Sequence, residues 1–268
     1  MLKQRILTAL VLAPLALGGL FILDGWAFAL FTGIAVVLAA WEWSRLSALP
    51  TWGQFVYPAA IALALFGAWG QPHLLQQMLW AAALFWIIAF IFVVTYPRTL
   101  HWWRCPARRA FMGVFVLIPA WSGFIVLAEL GSFWLLYVLL IAWVADIFAY
   151  FAGRTWGKHK LAPAVSPGKS WEGVAGGLVG TTLLSLATTL YLDLAATASL
   201  ILLASTLFIT GVSVLGDLTE SLVKREAGMK DSSQLLPGHG GVMDRIDSLT
   251  SAVPLFALLL LNVGGGLL

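Results

Sequence analysis

The sequence predicts an all-α polytopic membrane protein of about nine transmembrane helices, with its N-terminus cytoplasmic and its C-terminus external. Three observations lead there. The 268 residues are 61% hydrophobic and only 10% charged, with a mean hydropathy of +0.94. A soluble domain averages about 25% charged residues, so charge this sparse cannot cover a water-facing surface. The apolar residues fall into runs near the roughly 20 residues that a helix needs to cross the hydrocarbon. Once those runs are counted, all 15 Lys and Arg fall on one side.

Taken in order, the runs are 6–23, 26–43, 55–70, 78–96, 110–129, 132–152, 172–192, 197–222 and 248–266. The first is preceded by Lys3 and Arg5, as a signal peptide would be. It is long for that, however, and no A-x-A site follows before Asp24, so it reads as a retained helix. The third is the shortest. With the N-terminus inside, the inner side holds Lys3, Arg5, Arg45, Arg98, Arg104, Arg108, Arg109, Arg154, Lys158, Lys160, Lys169, Lys224, Arg225, Lys230 and Arg245. The outer loops hold only Asp24, Glu129 and Asp193. Missing one span would scramble this segregation, which is the positive-inside pattern of membrane insertion. The chain divides into N-terminal spans over 1–109 and a C-terminal catalytic region over 110–268, whose site faces the cytoplasm.

The same charges explain the pI of about 9.2 without nucleic acid, because the basic residues form no run outside the inner loops. The single Cys105 allows no internal disulfide. The 14 Trp fit interfacial anchoring. His73, His101 and His159 are isolated and receive no role. Glu42 reads as an interfacial partner of Arg45. Gly173 with Gly177, and Gly176 with Gly180, form small-xxx-small pairs on the seventh span, which suit close helix packing or a homodimer.

Outer connections are short, whereas the inner segments 97–109, 153–171 and 223–247 are long. The last two are dense in Gly, Pro, Lys and Asp, as functional loops are. The most informative stretch runs from Asp217 to Asp247. Residues 197–216 rise about 30 Å as helix, the hydrocarbon thickness, which brings Asp217 to the inner interface. Asp217, Glu220, Ser221 and Lys224 follow i, i+3, i+4, i+7 spacing and share a helical face. Asp244 and Asp247, at i, i+3 on the start of the last helix, are expected to point the same way. Between these pairs lie Pro237, Gly238, His239, Gly240 and Gly241, whose glycines permit close backbone approach. Asp217, Asp244 and Asp247 converging at one interface suit a hard cation such as Mg²⁺, which binds through carboxylates and substrate phosphates. Interleaved Lys224, Arg225, Lys230 and Arg245 suit the phosphates. The competing reading is that acids and bases merely pair.

In the second long segment, Asp146 lies at membrane depth, roughly 10 Å below the inner surface, where an ionisable residue is by default functional. Ser166, Pro167, Gly168, Lys169, Ser170, Trp171, Glu172 and Gly173 follow, ending where the seventh span begins. A helix N-terminus with Lys and hydroxyls nearby suits phosphate. It is not a P-loop, because Pro163 stands where the first glycine belongs.

The run Ser221-x-Val223-Lys224-Arg225-x4-Lys230-Asp231-x-Ser233-x2-Leu236-Pro237-x-His239-Gly240-Gly241-Val242-x-Asp244-Arg245 resembles the signature of the phosphatidate cytidylyltransferases, also called CDP-diacylglycerol synthases. Asp146 and the stretch from Ser166 to Gly173 are similar to that family's second common region. Together they cover the C-terminal half; the N-terminal spans match only in hydrophobic character. The resemblance implies that CTP and phosphatidic acid react at the bilayer surface to give CDP-diacylglycerol and pyrophosphate with Mg²⁺, or with a second cation such as K⁺ beside it. Asp217, Asp244 and Asp247 would hold the metal, supported by Asp146. Lys169, Lys224 and Arg245 would hold phosphates with Ser166 and Ser170. Ser221, Arg225, Lys230, His239, Gly240 and Gly241 would line the substrate side. Two rivals are a CTP-dependent polyprenol or phytol kinase, which would release CDP, and an ion-coupled transporter, which would place Asp146 and Asp217 between internal repeats that the sequence does not show. A CDP-alcohol phosphotransferase is excluded, since Asp24-Gly25 continues into Trp26, Ala27 and Phe28.

Overall fold

The computed structural model describes residues 2–263; the side chains of Lys3 and Arg5 and the terminal Leu268 lie outside the described part. The helices are α1 (Leu2–Phe21), α2 (Gly25–Leu46), α3 (Gly53–Ala68), α4 (Pro72–Thr95), a single turn α5 (Leu100–Trp103), α6 (Pro106–Leu130), α7 (Ser132–Trp156), α8 (Trp171–Tyr191), α9 (Ala196–Glu226), a single turn α10 (Met243–Ile246) and α11 (Leu249–Val263). Between α7 and α8 lies an antiparallel hairpin of β1 (Lys160–Ala162) and β2 (Ser166–Ser170). This hairpin is the one departure from the all-α expectation among the described residues. Its strands are too short to leave a period-2 pattern in sequence.

Among the described residues, seven helical segments are long and apolar enough to cross a membrane: α2, α4, α6, α7, α8, α9 and the stretch Met243–Val263. The protein is therefore an all-α polytopic membrane protein in its bulk architecture. Their outer faces carry what lipid requires, with Leu30 54%, Leu84 67% and Leu190 82% exposed. The core is centred on α6, which packs on α2, α4 and α11. Trp43, Trp103, Tyr137 and Phe256 are fully buried. One hydrophobic cluster runs from Phe28 to Leu260, so the core is unbroken across the 109/110 boundary.

The glycines of α8 are spent within the chain. A Cβ on Gly176 would stand 2.4 Å from Cβ of Ala152, and one on Gly180 would meet the Phe148 ring at 2.5 Å. The stripe lets α8 lie against α7, and a homodimer would have to use another face.

Several helix ends meet at one face. Thr8 Oγ1 of α1 donates to Pro237 O at 2.9 Å. Arg109 Nη1, at the start of α6, donates to Leu46 O at the end of α2 at 2.9 Å. Arg104 Nε pairs with Glu226 Oε1 at 2.9 Å, joining the α5–α6 connection to the end of α9. Arg225 Nε donates to Val165 O in the hairpin turn at 3.0 Å. The long connections thus converge on one end of the bundle.

Candidate active site

At 31 residues, α9 is longer than the roughly 20 that cross the hydrocarbon, and it carries Asp217, Glu220, Ser221 and Lys224 on one face, as their spacing requires. The hairpin folds over it because Ser170 caps α8, its Oγ accepting from Gly173 N at 3.1 Å. Capping positions the preceding strand, and Lys169 Nζ meets Asp217 Oδ2 at 2.6 Å. Ser221 Oγ donates to the other oxygen, Oδ1, at 3.1 Å. Asp146 lines a cavity of about 340 Å³ between α7, α8 and α9, together with Lys169, Ser170, Arg154 and Gly173. Asp146 and Asp247 each lie within electrostatic reach of Lys169 and Asp217. Two distant parts of the sequence therefore form one cationic and acidic cluster at the end of the bundle.

Asp244 is placed differently from the expectation. The helix is interrupted between α10 and α11, but Asp247 keeps helical backbone angles, φ −51° and ψ −51°, and both Asp244 and Asp247 lie near Glu220. Asp247 sits in the break and accepts from Ser248 N at 2.7 Å through Oδ1. Asp244 turns into the loop instead. Its Oδ1 accepts from Lys224 Nζ at 2.7 Å, and its Oδ2 accepts from Ser232 N at 2.9 Å, Ser232 Oγ at 2.8 Å and Gly241 N at 2.8 Å. Lys224 is correspondingly engaged, since it also pairs with Glu220 Oε2 at 2.6 Å. The phosphate role expected of Lys224 is thus met by a side chain already held between two carboxylates. Among the described residues no three His, Cys, Asp or Glu side chains form a metal cluster, so the expected triple carboxylate set is not gathered as such.

The loop between α9 and α10 encloses a second, polar cavity of about 680 Å³, lined by Lys230, Asp231, Ser233, His239, Gly240 and Arg245 among others. His239 Nδ1 is buried there without a protein partner. Gly238 and Gly240 have φ of 78° and 81°, conformations that glycine adopts freely. Gly241 is needed for close approach, because a Cβ there would stand 2.1 Å from Ser232 Oγ and 2.3 Å from Glu42 Oε1. Ser166, at the far end of β2 opposite Ala162, lines neither cavity. Arg225 is turned to the hairpin by its bond to Val165 O. His159, which had no expected role, pairs through Nδ1 with Glu172 Oε1 at 2.6 Å.

Sequence reasoning missed Glu42. It is not the partner of Arg45, whose guanidinium lies over the Trp41 ring at 5.0 Å. Glu42 is fully buried and receives donors from the signature loop. The signal available in sequence was an acid near the inner end of a span, and the nearby arginine offered a simpler partner.

A donor set of this kind suits Mg²⁺ in part. Asp217 pairs with Lys169, which lines the cavity, Asp247 lies near Asp217, and Glu220 Oε1 is buried without a donor. An ion of this type takes one or two carboxylates and completes its shell with phosphate oxygens and water. Asp244 faces four protein donors, three of them on Oδ2, so only its Oδ1, which meets Lys224 alone, is open to an ion.

The sequence profile of the cytidylyltransferase family matches residues 3–263. The chain is 49% identical over 269 residues to the phosphatidate cytidylyltransferase of Pseudomonas aeruginosa, covering 99% of each. It is 41% identical over 285 residues to the enzyme of that name from Haemophilus influenzae, covering 96% of this chain and 98% of the other. The Staphylococcus saprophyticus enzyme of the same name is 41% identical over 133 residues, 50% of this chain and 51% of its own. With the match extending through the N-terminal helices as well as the signature, this chain belongs to the cytidylyltransferase family.

Proposed function

We propose that the protein is a CTP:phosphatidate cytidylyltransferase. A phosphate oxygen of phosphatidate attacks the α-phosphorus of CTP. The bond from that phosphorus to the bridging oxygen breaks, and pyrophosphate leaves with the electron pair. The nucleophile is already an anion, so no strong base is needed, and positioning with charge neutralisation carries the rate. The observation that carries the reading is the Lys169–Asp217 pair, whose lysine lines the Asp146 cavity at the end of the spans. A site there can meet an aqueous nucleotide and a bilayer lipid together.

Within it, Lys230, Arg245, His239 and the glycine turn face the loop cavity, which suits CTP. Lys169 and Ser170 face the other cavity, which suits the lipid phosphate. An apolar groove of about 530 Å³, lined by Phe90, Val94, Ala164 and Leu218, shares Val174 and Val214 with that cavity, which supports an acyl chain lying beside its headgroup. Asp217 and Asp247 would hold Mg²⁺, with Asp146 nearby. The ion would neutralise developing phosphate charge.

The bundle is read as nine spans, counting α1 and the 16-residue α3 with the seven longer ones. The site would face the cytoplasm of a bacterial inner membrane. The one-sided basic residues and the converging helix ends support this orientation. The test is to incubate purified protein with labelled CTP and phosphatidate, with Mg²⁺ and with chelator, and to identify the products. CDP-diacylglycerol and pyrophosphate, formed only with Mg²⁺, are expected. Release of CDP with a phosphorylated alcohol would instead mark a lipid kinase.

A further inference from the structure

We infer that Glu42, on α2 in the N-terminal half, is a positioning residue that holds the signature loop in its nucleotide-binding shape. Its oxygens accept four hydrogen bonds. Ser233 Oγ at 2.5 Å and Val242 N at 3.0 Å donate to Oε1. Ser232 Oγ at 3.1 Å and Met243 N at 2.6 Å donate to Oε2. The side chain is 0% exposed, so it touches no substrate, and its effect is exerted through the loop.

The loop needs such a support. Between the end of α9 at Glu226 and the start of α10 at Met243 its backbone has no ladder beyond the isolated bridge between Leu236 and Gly240. Buried N–H groups must find acceptors elsewhere. Asp244 supplies one anchor from within the loop, and Glu42 supplies the other from outside it. Ser232 is shared between them, its hydroxyl lying 2.8 Å from Asp244 Oδ2 and 3.1 Å from Glu42 Oε2. α2 is a firm base for this, since Trp43 Nε1 donates to Arg109 O at 2.8 Å and Arg109 Nη1 returns a bond to Leu46 O. Both carboxylate oxygens face donors, so an amide in this place would set its NH₂ against a backbone N–H.

The role as a support of CTP binding rests on the reading of the 680 Å³ loop cavity as the nucleotide site. The test therefore uses one readout that involves no substrate. Trypsin cleavage after the exposed Lys230 is followed for wild type, Glu42→Gln and Ser233→Ala in detergent, with and without CTP. Steady-state kinetics are then measured for both substrates. Glu42→Gln should speed cleavage at Lys230 and raise KM for CTP by roughly tenfold to a hundredfold, as buried donors left facing an amide imply. KM for phosphatidate should stay within about twofold, because no bond to the lipid side is lost. Ser233→Ala, which removes one donor and folds more safely, should shift both readouts the same way by less. Unchanged cleavage, or faster cleavage with an unchanged KM for CTP, would overturn the inference, as would equal rises in both KM values. Failure of CTP to protect wild-type Lys230 while Glu42→Gln still loosens the loop would strike the nucleotide reading of the cavity and leave Glu42 a purely structural anchor.

Discussion

Two pairs of carboxylates stand at the same end of the bundle, and the chain treats them differently. Asp244 and Glu42 are enclosed by donors from the signature loop and its lysine, four facing each, with the single Ser232 hydroxyl shared between them. Asp217 meets one lysine and one hydroxyl beside a cavity, and Asp247 accepts one N–H in a helix break. An acid whose lone pairs are filled by protein has been used for shape. An acid left short of donors, in reach of a second acid and a lysine, retains capacity for a ligand. Residue type does not distinguish the two; the donors around each carboxylate do.

The sharpest way to break this comparison is to neutralise the underfilled pair. Asp217→Asn and Asp247→Asn should each lower kcat by about 10³ or more, since each removes an anion proposed to hold the cation, whose demanding geometry a neighbour cannot restore. Thermal stability in detergent should be nearly unchanged. Near-normal turnover in either variant would remove that acid from the reacting set. Lys169→Ala should cost roughly 10²–10³ in rate, the loss for one preorganised electrostatic contact, while Lys158→Ala in the same segment should stay within about twofold because Lys158 is exposed. Lys169→Arg should recover only part of the activity, because a planar fork does not replace a compact ammonium. Equal, mild defects at 169 and 158 would reduce Lys169 to diffuse charge. Asp244→Asn should show the opposite profile, with a stability loss of about 1–3 kcal/mol from buried donors left unmatched and an activity loss that follows the loosened loop. A variant as stable as wild type but inactive would return Asp244 to the reacting set.

Much of this architecture was legible in the sequence, for physical reasons. Apolar runs report directly on a solvent that is lipid, so helices stand where the runs were counted, with most ends shifted by a few residues, and seven of them are long and apolar enough to span among the described residues. Periodicity put Asp217 and Ser221 on one face, and the structure joins them by a hydrogen bond. It said nothing of the donors that take up Asp244, because Ser232 and Gly241 reach it from the loop and not along the helix. The hairpin was illegible because β1 spans 3 residues and β2 spans 5. Glu42 was illegible because its partners lie 190–201 residues away, while Arg45 was close by in sequence. Local rules reach the ends of an element and not across the fold.

The bond from Glu42 to Val242 has a consequence for how the molecule is made. A ribosome adding about 5–20 residues each second needs roughly 10–40 s to cover the 200 positions between them. Through that interval Glu42 has none of the four donors that face it in the finished fold. The socket is made first and its occupant emerges near the end of translation, so the signature loop can take its final shape only when synthesis is almost complete.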